Sequence, residues 1–487
     1  MKGLSPVSLR HRLVGTAKRQ LKQTLGPVVQ RAMAPARASL PPETWSLESR
    51  AGQGLMLEGV SLSRLVQEYG SPLHVVHLAA LNRNADAFQA VPPGAAGGCE
   101  VYYSYKTNPV PGVLSALHAR GVGAEVISAY ELWLALKLGV APERIVYNGP
   151  VKSDASIRES ITRGIGLLAA NHVEELDVFA RHAQELRKHP RVAVRVTTAQ
   201  GWTSQFGTPI TGGMALAAYR KALALGTLDV VGLHAHRGEL IRTEAELEGF
   251  VGSVLDFADE LHRELGLDLE VLDLGGSLCT PTVEHIEQKD WRLNLTFQRD
   301  LPAPDFAAAL SIERYVAKVV SQVEAHYAKK GRARPRIFLE PGRAMTGNTQ
   351  LLLGRVHALK DGGERTWAVL DMGINHAECV RNEYHQLFHV ERPDAPSHRA
   401  YTVVGPICTP GDTLYHAVRL PELKVGDTLA IMDAGAYFVP FGTSFSFPQP
   451  AIVGVEGGRV RVLRRAETNE DLVTFDDPVP APSRAAR

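Results

Sequence analysis

This chain places reactive side chains at the ends of short apolar runs, where α/β proteins keep their chemistry. Val101-Tyr-Tyr-Ser-Tyr-Lys106 alternates aromatic and β-branched residues like a strand and finishes on a lysine. Such a lysine is commonly a solvated charge, whereas a desolvated one can form a Schiff base with a carbonyl compound. Its weight depends on the company it keeps. Further along stand Glu125, Asn148, Arg195, His234 with His236, Asp273-Leu-Gly-Gly276-Ser277 and Glu340-Pro-Gly-Arg343. Alone, Arg195 reads as a structural ion-pair partner and Glu125 as a paired or solvated acid. The two histidines share one face of a strand and could ligate a metal, pack in a core, or lie against a flat aromatic ligand. Gly275-Gly276-Ser277 offers backbone N–H groups with room for a phosphate, and Arg343 offers a bidentate cation for it.

A regular βα alternation would bring these residues together. Apolar strand candidates lie near 100–105, 123–127, 144–147, 165–169, 192–196, 229–235, 269–274 and 336–340, with helix-period segments between most of them. That count and length fit a (β/α)8 barrel, whose chemistry sits at the C-terminal strand ends. No G-x-G-x-x-G follows the first strand, so a doubly wound sheet is the weaker alternative. Residues 277–312 exceed an ordinary loop and are expected as a lid, an excursion at the mouth, or disorder. Ahead of the barrel, Leu62–Tyr69 reads as a helix closed by Gly70, and Pro72–His77 as a strand. Past Gly342 short β-prone runs take over: Leu351–Val356, Thr366–Leu370, Ala400–Val404, Thr428–Met432 and Val460–Leu463. They predict a mostly β domain, barrel or sandwich. The domain plan is a basic extension (1–42), a lead-in packing with the β domain (43–75), the barrel (76–345), the β domain (346–467) and a loose tail (468–487).

Bulk properties narrow the partners. With 487 residues and a net charge of +1 the chain carries no footprint for nucleic acid. No apolar run approaches the length of a membrane span. Four cysteines without C-x-x-C spacing argue against a disulfide framework or zinc ribbon and fit the cytoplasm. The first 42 residues are basic and hold no acid. They are expected to dock or fray, ahead of a transit-like or membrane-surface role.

One ligand would use a lysine, an acid, a stacking surface and a phosphate cradle together: pyridoxal 5'-phosphate. The stretches Tyr103-Ser-Tyr-Lys-Thr-Asn108, Gly232-Leu-His-Ala-His236, Asp273-Leu-Gly-Gly276, Glu340-Pro-Gly-Arg343, Gly405-Pro-Ile-Cys-Thr-Pro-Gly-Asp412 and Gly435-Ala-Tyr437 occur in that order. They resemble the fold-type III pyridoxal-phosphate decarboxylases, the group of diaminopimelate, ornithine and arginine decarboxylases. The resemblance spans roughly residues 60–465. It implies an alanine racemase-like barrel with a C-terminal β domain, an amino-acid substrate, and a homodimer with shared active sites. It implies Lys106 as the aldimine lysine, His236 stacked on the ring and Glu340 on the pyridine nitrogen. Gly275, Gly276, Ser277, Arg343 and Tyr437 are implied around the phosphate, and Arg195 and Glu125 are further cofactor candidates. Cys408 of the partner subunit is implied as proton donor after carbon dioxide leaves, so the expected catalytic set is Lys106, His236 and Cys408. No metal is expected.

Two departures mark the far end of the substrate. The residue after the cysteine is typically acidic in this family and here is Thr409, and the loop after His236 carries Glu239 where a serine is expected. Asp371, Arg381, Tyr384 and Thr409 are the substrate-contact candidates, and a modified or unusual amino acid is the expected substrate. Alternatives are a racemase or other pyridoxal enzyme on the same fold, a non-catalytic pyridoxal-phosphate-binding protein, or a metal-dependent hydrolase barrel using His234, His236 and Asp273. Glu340 favours a decarboxylase over a racemase, where an arginine is expected opposite the nitrogen.

Overall fold

The structure, a computed structural model, describes residues 24–202, 204–363 and 365–476. The first part of the expected basic extension and the end of the expected loose tail lie outside the described residues.

Eight parallel strands form the central layer: β1 (Glu100–Ser104), β2 (Gly123–Val126), β3 (Ile145–Tyr147), β4 (Leu167–Ala170), β5 (Arg191–Thr197), β6 (Asp229–Ala235), β7 (Val271–Asp273) and β8 (Arg336–Leu339). Each pairs with its successor, and β8 pairs with β1, so the sheet closes into a barrel. All eight expected strands form. One detail differs: β1 stops at Ser104, and Lys106 stands on a 3-10 turn, Tyr105–Thr107.

The period-two alternation of strand side chains sorts the barrel into an apolar floor and a polar mouth. Tyr102, Val146, Leu167, Ala169, Ala193, Val231, Val271 and Phe338 fill the interior. Their neighbours Val101, Tyr103, Ala124, Val192, Leu272, Ile337 and Leu339 face the helices. Two residues further along each strand, the inward positions turn polar: Ser104, Asn148, Arg195, Asp273 and Glu340, with Glu125 at the same level on β2. β6 needs a correction to join them. Val231 lies inside and Leu233 outside, which unbroken alternation forbids. A register shift between Val230 and Gly232 re-aims the strand, and His234 ends beside Glu340.

The β domain is built on a long strand, β9 (Gln350–Asp361), followed by β10 (Thr366–Leu370), β11 (Leu387–His389), β12 (Arg399–Val404), β13 (Thr413–Leu420), β14 (Thr428–Ile431), β15 (Ala451–Glu456) and β16 (Arg459–Arg464). The expected runs all form; β11, β13 and β15 were not among them, although Ile452, Val453 and Val455 mark β15 as β-prone. β9 serves two sheets, pairing β14 through its first half and β10 through its second. Leu351 and Leu353 pack with Trp45, Leu55 and Val75, while Leu352 and Val356 pack with Leu370, Tyr401 and Leu429. Both faces of β9 are therefore core, which explains its near-continuous apolar run. The lead-in contributes directly: helix Leu62–Tyr69 ends at Gly70, and strand Leu73–His77 inserts between β9 and β15.

The connection 277–312 is an ordered excursion carrying helix Gln288–Phe297. Asn294 donates to the Ala417 carbonyl at 2.7 Å, and Arg419 pairs with Asp300 at 2.5 Å. Residues 24–32 are helical and dock on that excursion, Gln30 donating to the Phe297 carbonyl at 2.6 Å. Among the described residues no helix is long and apolar enough to cross a membrane.

Candidate active site

Lys106 Nζ donates to Ser104 Oγ at 2.6 Å and to Glu125 Oε2 at 2.8 Å. Both acceptors are inward positions of β1 and β2, so strand register fixes where the amine points. Its side chain remains 37% exposed beside a fully buried Glu125, so a ligand can reach it from the mouth. Burial works against the ammonium charge, but Glu125, with Tyr437 and Glu340, outweighs it and raises the amine above its usual range.

Across the mouth, Glu340 Oε1 accepts from Asn148 Nδ2 at 2.8 Å, and Oε2 lies 3.4 Å from His234 Nε2. Burial would raise this carboxyl, yet His234 beside it and the Lys106 ammonium hold it below the usual carboxylate range, so it is a carboxylate. His236 stays neutral: burial, Arg195 and Lys106 press its imidazole down to about 3. Its Nδ1 accepts the Gly276 N–H at 3.1 Å, which fixes the tautomer and the plane of the ring. His236 is thereby separated from the tight group His234, Asp273 and Glu340, whose side-chain polar atoms lie within 4.8 Å of one another.

The glycine turn admits no side chain. A Cβ on Gly275, at φ 62°, would run into the His236 ring, and one on Gly276 into the Glu340 carbonyl. Ser277 adopts φ 77° although it is no glycine, and its hydroxyl accepts the Gly238 N–H at 3.1 Å. Buried polar atoms without a hydrogen-bond partner among the described residues gather here: Arg195 Nε, Glu125 Oε1, Asp273 Oδ2 and both nitrogens of His234. A glycine cradle beside unsatisfied donors and acceptors fits a small ligand with a phosphate, a ring nitrogen and a carbonyl.

Other expected residues sit differently. Arg343 forms a two-armed pair with Glu383, at 2.7 and 2.8 Å, and lies over the Tyr437 ring at 4.8 Å. Arg195 lies 4.9 Å over the Phe206 ring. Asp371 accepts the Arg355 N–H at 2.8 Å. Arg381 pairs with Glu378 at 2.8 Å, and Tyr384 donates to Gln386 at 2.7 Å; both residues line a cavity of about 590 Å³ between the β domain and the 277–312 excursion. Cys408 and Thr409 are exposed on the β12–β13 loop, and Cys408 is the exposed one of the four cysteines. Glu239 points to solvent with Arg237 at 3.7 Å. Ser104 and Glu383 were not among the expected site residues, and Asn148 was expected at its strand end without an assigned role. The inward period marks Ser104 and Asn148, two positions past Tyr102 and Val146, whereas nothing local marks Glu383.

Residues 78–347 match the family model described as pyridoxal-dependent decarboxylase, pyridoxal binding domain. A diaminopimelate decarboxylase of Aquifex aeolicus is 32% identical over 441 residues, covering 88% of this chain and 96% of that protein. One from Archaeoglobus fulgidus is 31% identical, covering 86% and 96%. The crystal structure of the M. jannaschii diaminopimelate decarboxylase in complex with L-lysine superposes with a TM-score of 0.77 at 25% identity, covering 89% and 98%. The closed barrel, β domain and lysine-bearing mouth define a fold-type III pyridoxal-phosphate enzyme. Within that class the chain belongs to the pyridoxal-dependent decarboxylases and is an amino-acid carboxy-lyase that uses pyridoxal phosphate.

Proposed function

We propose that this enzyme decarboxylates an amino acid with an extended or modified far end, using Lys106 of one subunit and Cys408 of the partner. The observation that carries the reading is the opposition at one mouth of the Lys106 amine and the buried Glu340 carboxylate. When bound, pyridoxal phosphate supplies an electron sink for the pair left by the departing carboxylate. The chain's own residues do the rest. Lys106 would hold the cofactor through its amine, and Glu125 Oε1, without a partner among the described residues, would take a proton from Nζ. Glu340 would accept from the cofactor's ring nitrogen, and His236 would present a neutral face to the ring. Gly275, Gly276 and Ser277 would cradle the phosphate, and Arg343 with Tyr437 would join them if the guanidinium left Glu383. Arg195 adds a positive charge at the mouth. Cys408, exposed on its loop, enters the neighbouring mouth and returns a proton to the carbon that lost carbon dioxide.

This division of labour takes 76–345 as the cofactor unit and 346–467 as the unit that completes the second site. Thr409 carries no charge to pair with a terminal ammonium. Arg381, Tyr384 and Asp371 would contact the longer far end. Mixing inactive Lys106→Ala with inactive Cys408→Ala should restore about a quarter of wild-type carbon dioxide release, because half-and-half dimers keep one intact site. No recovery in a mixed dimer population sinks the shared site. A panel of diamino acids and their N-acylated conjugates that yields no carbon dioxide sinks the substrate reading.

A further inference from the structure

The mouth holds three buried carboxyl groups, Glu125, Glu340 and Asp273, and Asp273 alone of these has no assigned task. Asp273 and Glu340 stand on the neighbouring strands β7 and β8, at 0% and 5% exposure. Two carboxylates so close cannot both be charged without a cation between them. The candidate cations fall short: Arg195 faces Glu340, Glu125 and Asp273 together and cannot neutralise all three, and His234 lies against Glu340, 3.4 Å from its Oε2. Lys106 is taken by Glu125, and His236 is neutral.

Hydrogen bonding decides which of the two keeps a proton. Glu340 has the Asn148 amide on one oxygen and the His234 ring beside the other. Asp273 Oδ1 accepts the Gly275 N–H at 2.9 Å, which leaves only Oδ2 to carry a proton. Oδ2 has no donor among the described residues. As a bare carboxylate oxygen beside Glu340 it would be the costliest polar atom in the mouth.

We propose that Asp273 is a neutral carboxylic acid whose Oδ2–H donates to Glu340, holding that carboxylate charged and aimed at the cofactor's ring nitrogen. Burial and the Glu340 charge push Asp273 well above the usual carboxylate range, in agreement. Asp273 is then a positioning residue, acting through Glu340. It also ties the acid to the phosphate turn, because the same side chain holds Gly275.

The aim toward the ring nitrogen rests on the reading of Glu340 given above; the position of the proton does not. Infrared difference spectra of wild type against Asp273→Asn, taken on cofactor-free protein at neutral pH, should show the carbonyl stretch of a protonated carboxyl that the variant lacks. Asparagine keeps both contacts, Oδ1 accepting from Gly275 and Nδ2 donating to Glu340, so it should rescue what alanine loses. Asp273→Ala should bind pyridoxal phosphate about 10-fold more weakly than Asp273→Asn, the effect of removing a hydrogen bond to a charged group. Its visible cofactor band should also shift with pH where that of Asp273→Asn does not. Absence of the acid carbonyl band, or an asparagine variant as impaired as the alanine one, overturns the proposal. A band together with a Glu340→Gln variant whose cofactor spectrum is unchanged overturns the aim at the ring nitrogen and leaves the proton where it is placed.

Discussion

At the barrel mouth, Glu125, Asp273, His234 and Glu340 are buried and held by strand register, and several of their polar atoms have no hydrogen-bond partner among the described residues. On the β-domain segment 371–411, Asp371, Arg381 and Tyr384 have partners already, and Cys408 and Thr409 stand in solvent. The first region stores polar groups in advance for a ligand that never changes. The second leaves its groups on loops, where a substrate or a second subunit can rearrange them cheaply. Chemistry common to many substrates belongs on strands, and discrimination among them belongs on connections.

Substitutions can break that contrast. The largest effect is expected for Lys106→Ala, with activity falling on the order of 10⁴-fold and the visible cofactor absorption lost; retained absorption would put the cofactor somewhere else. Cys408→Ala should lower kcat about 10²-fold while cofactor titration and melting temperature stay as in wild type, because the thiol touches neither the fold nor the cofactor of its own subunit. Gly275→Ala should cost about 1–3 kcal/mol in denaturant unfolding and weaken cofactor binding, since a Cβ at φ 62° meets the His236 ring.

His236 gives a pH-dependent test of the buried rim. Its imidazole is held near about 3 in the folded protein against 6.5 unfolded, so below 6.5 the unfolded chain takes up a proton that the folded one refuses. The corresponding stability is complete above that pH and falls by up to about 1.4 kcal/mol per unit as the pH drops. Urea midpoints for His236→Gln should therefore change less between neutral and mildly acidic pH than those of wild type, and parallel curves would show the ring accessible to solvent. The smallest effect is expected at Arg381→Ala: stability within about 0.5 kcal/mol of wild type, with any change confined to KM. A loss there comparable to Cys408→Ala would erase the contrast between the two regions.

Much of the mouth was legible because closed parallel barrels obey two simple rules: side chains alternate, and function gathers at the C-terminal strand ends. Lys106, Glu125, Arg195 and Glu340 follow directly from those rules, whereas His236 shares the face of His234 and turns inward with it. Asn148 was visible at its strand end, but only the structure joins it to Glu340, and only the bulge in β6 accounts for His234 turning inward. The partnership of Arg343 with Glu383 was invisible, because it spans 40 residues and two domains. The insertion of Leu73–His77 between β9 and β15 was equally beyond local patterning, since strand partners are chosen by the global fold.

The sequence by itself determined the barrel, the β domain and the order of reactive groups around the mouth, because periodicity and strand ends are local properties that each run carries alone. Tertiary structure alone decided the charge state of those groups. Whether Asp273 keeps a proton, whether His236 can take one, and whether Arg343 is free depend on burial and on neighbours brought from distant parts of the chain. Desolvation and Coulomb interactions act through space and take no account of sequence separation.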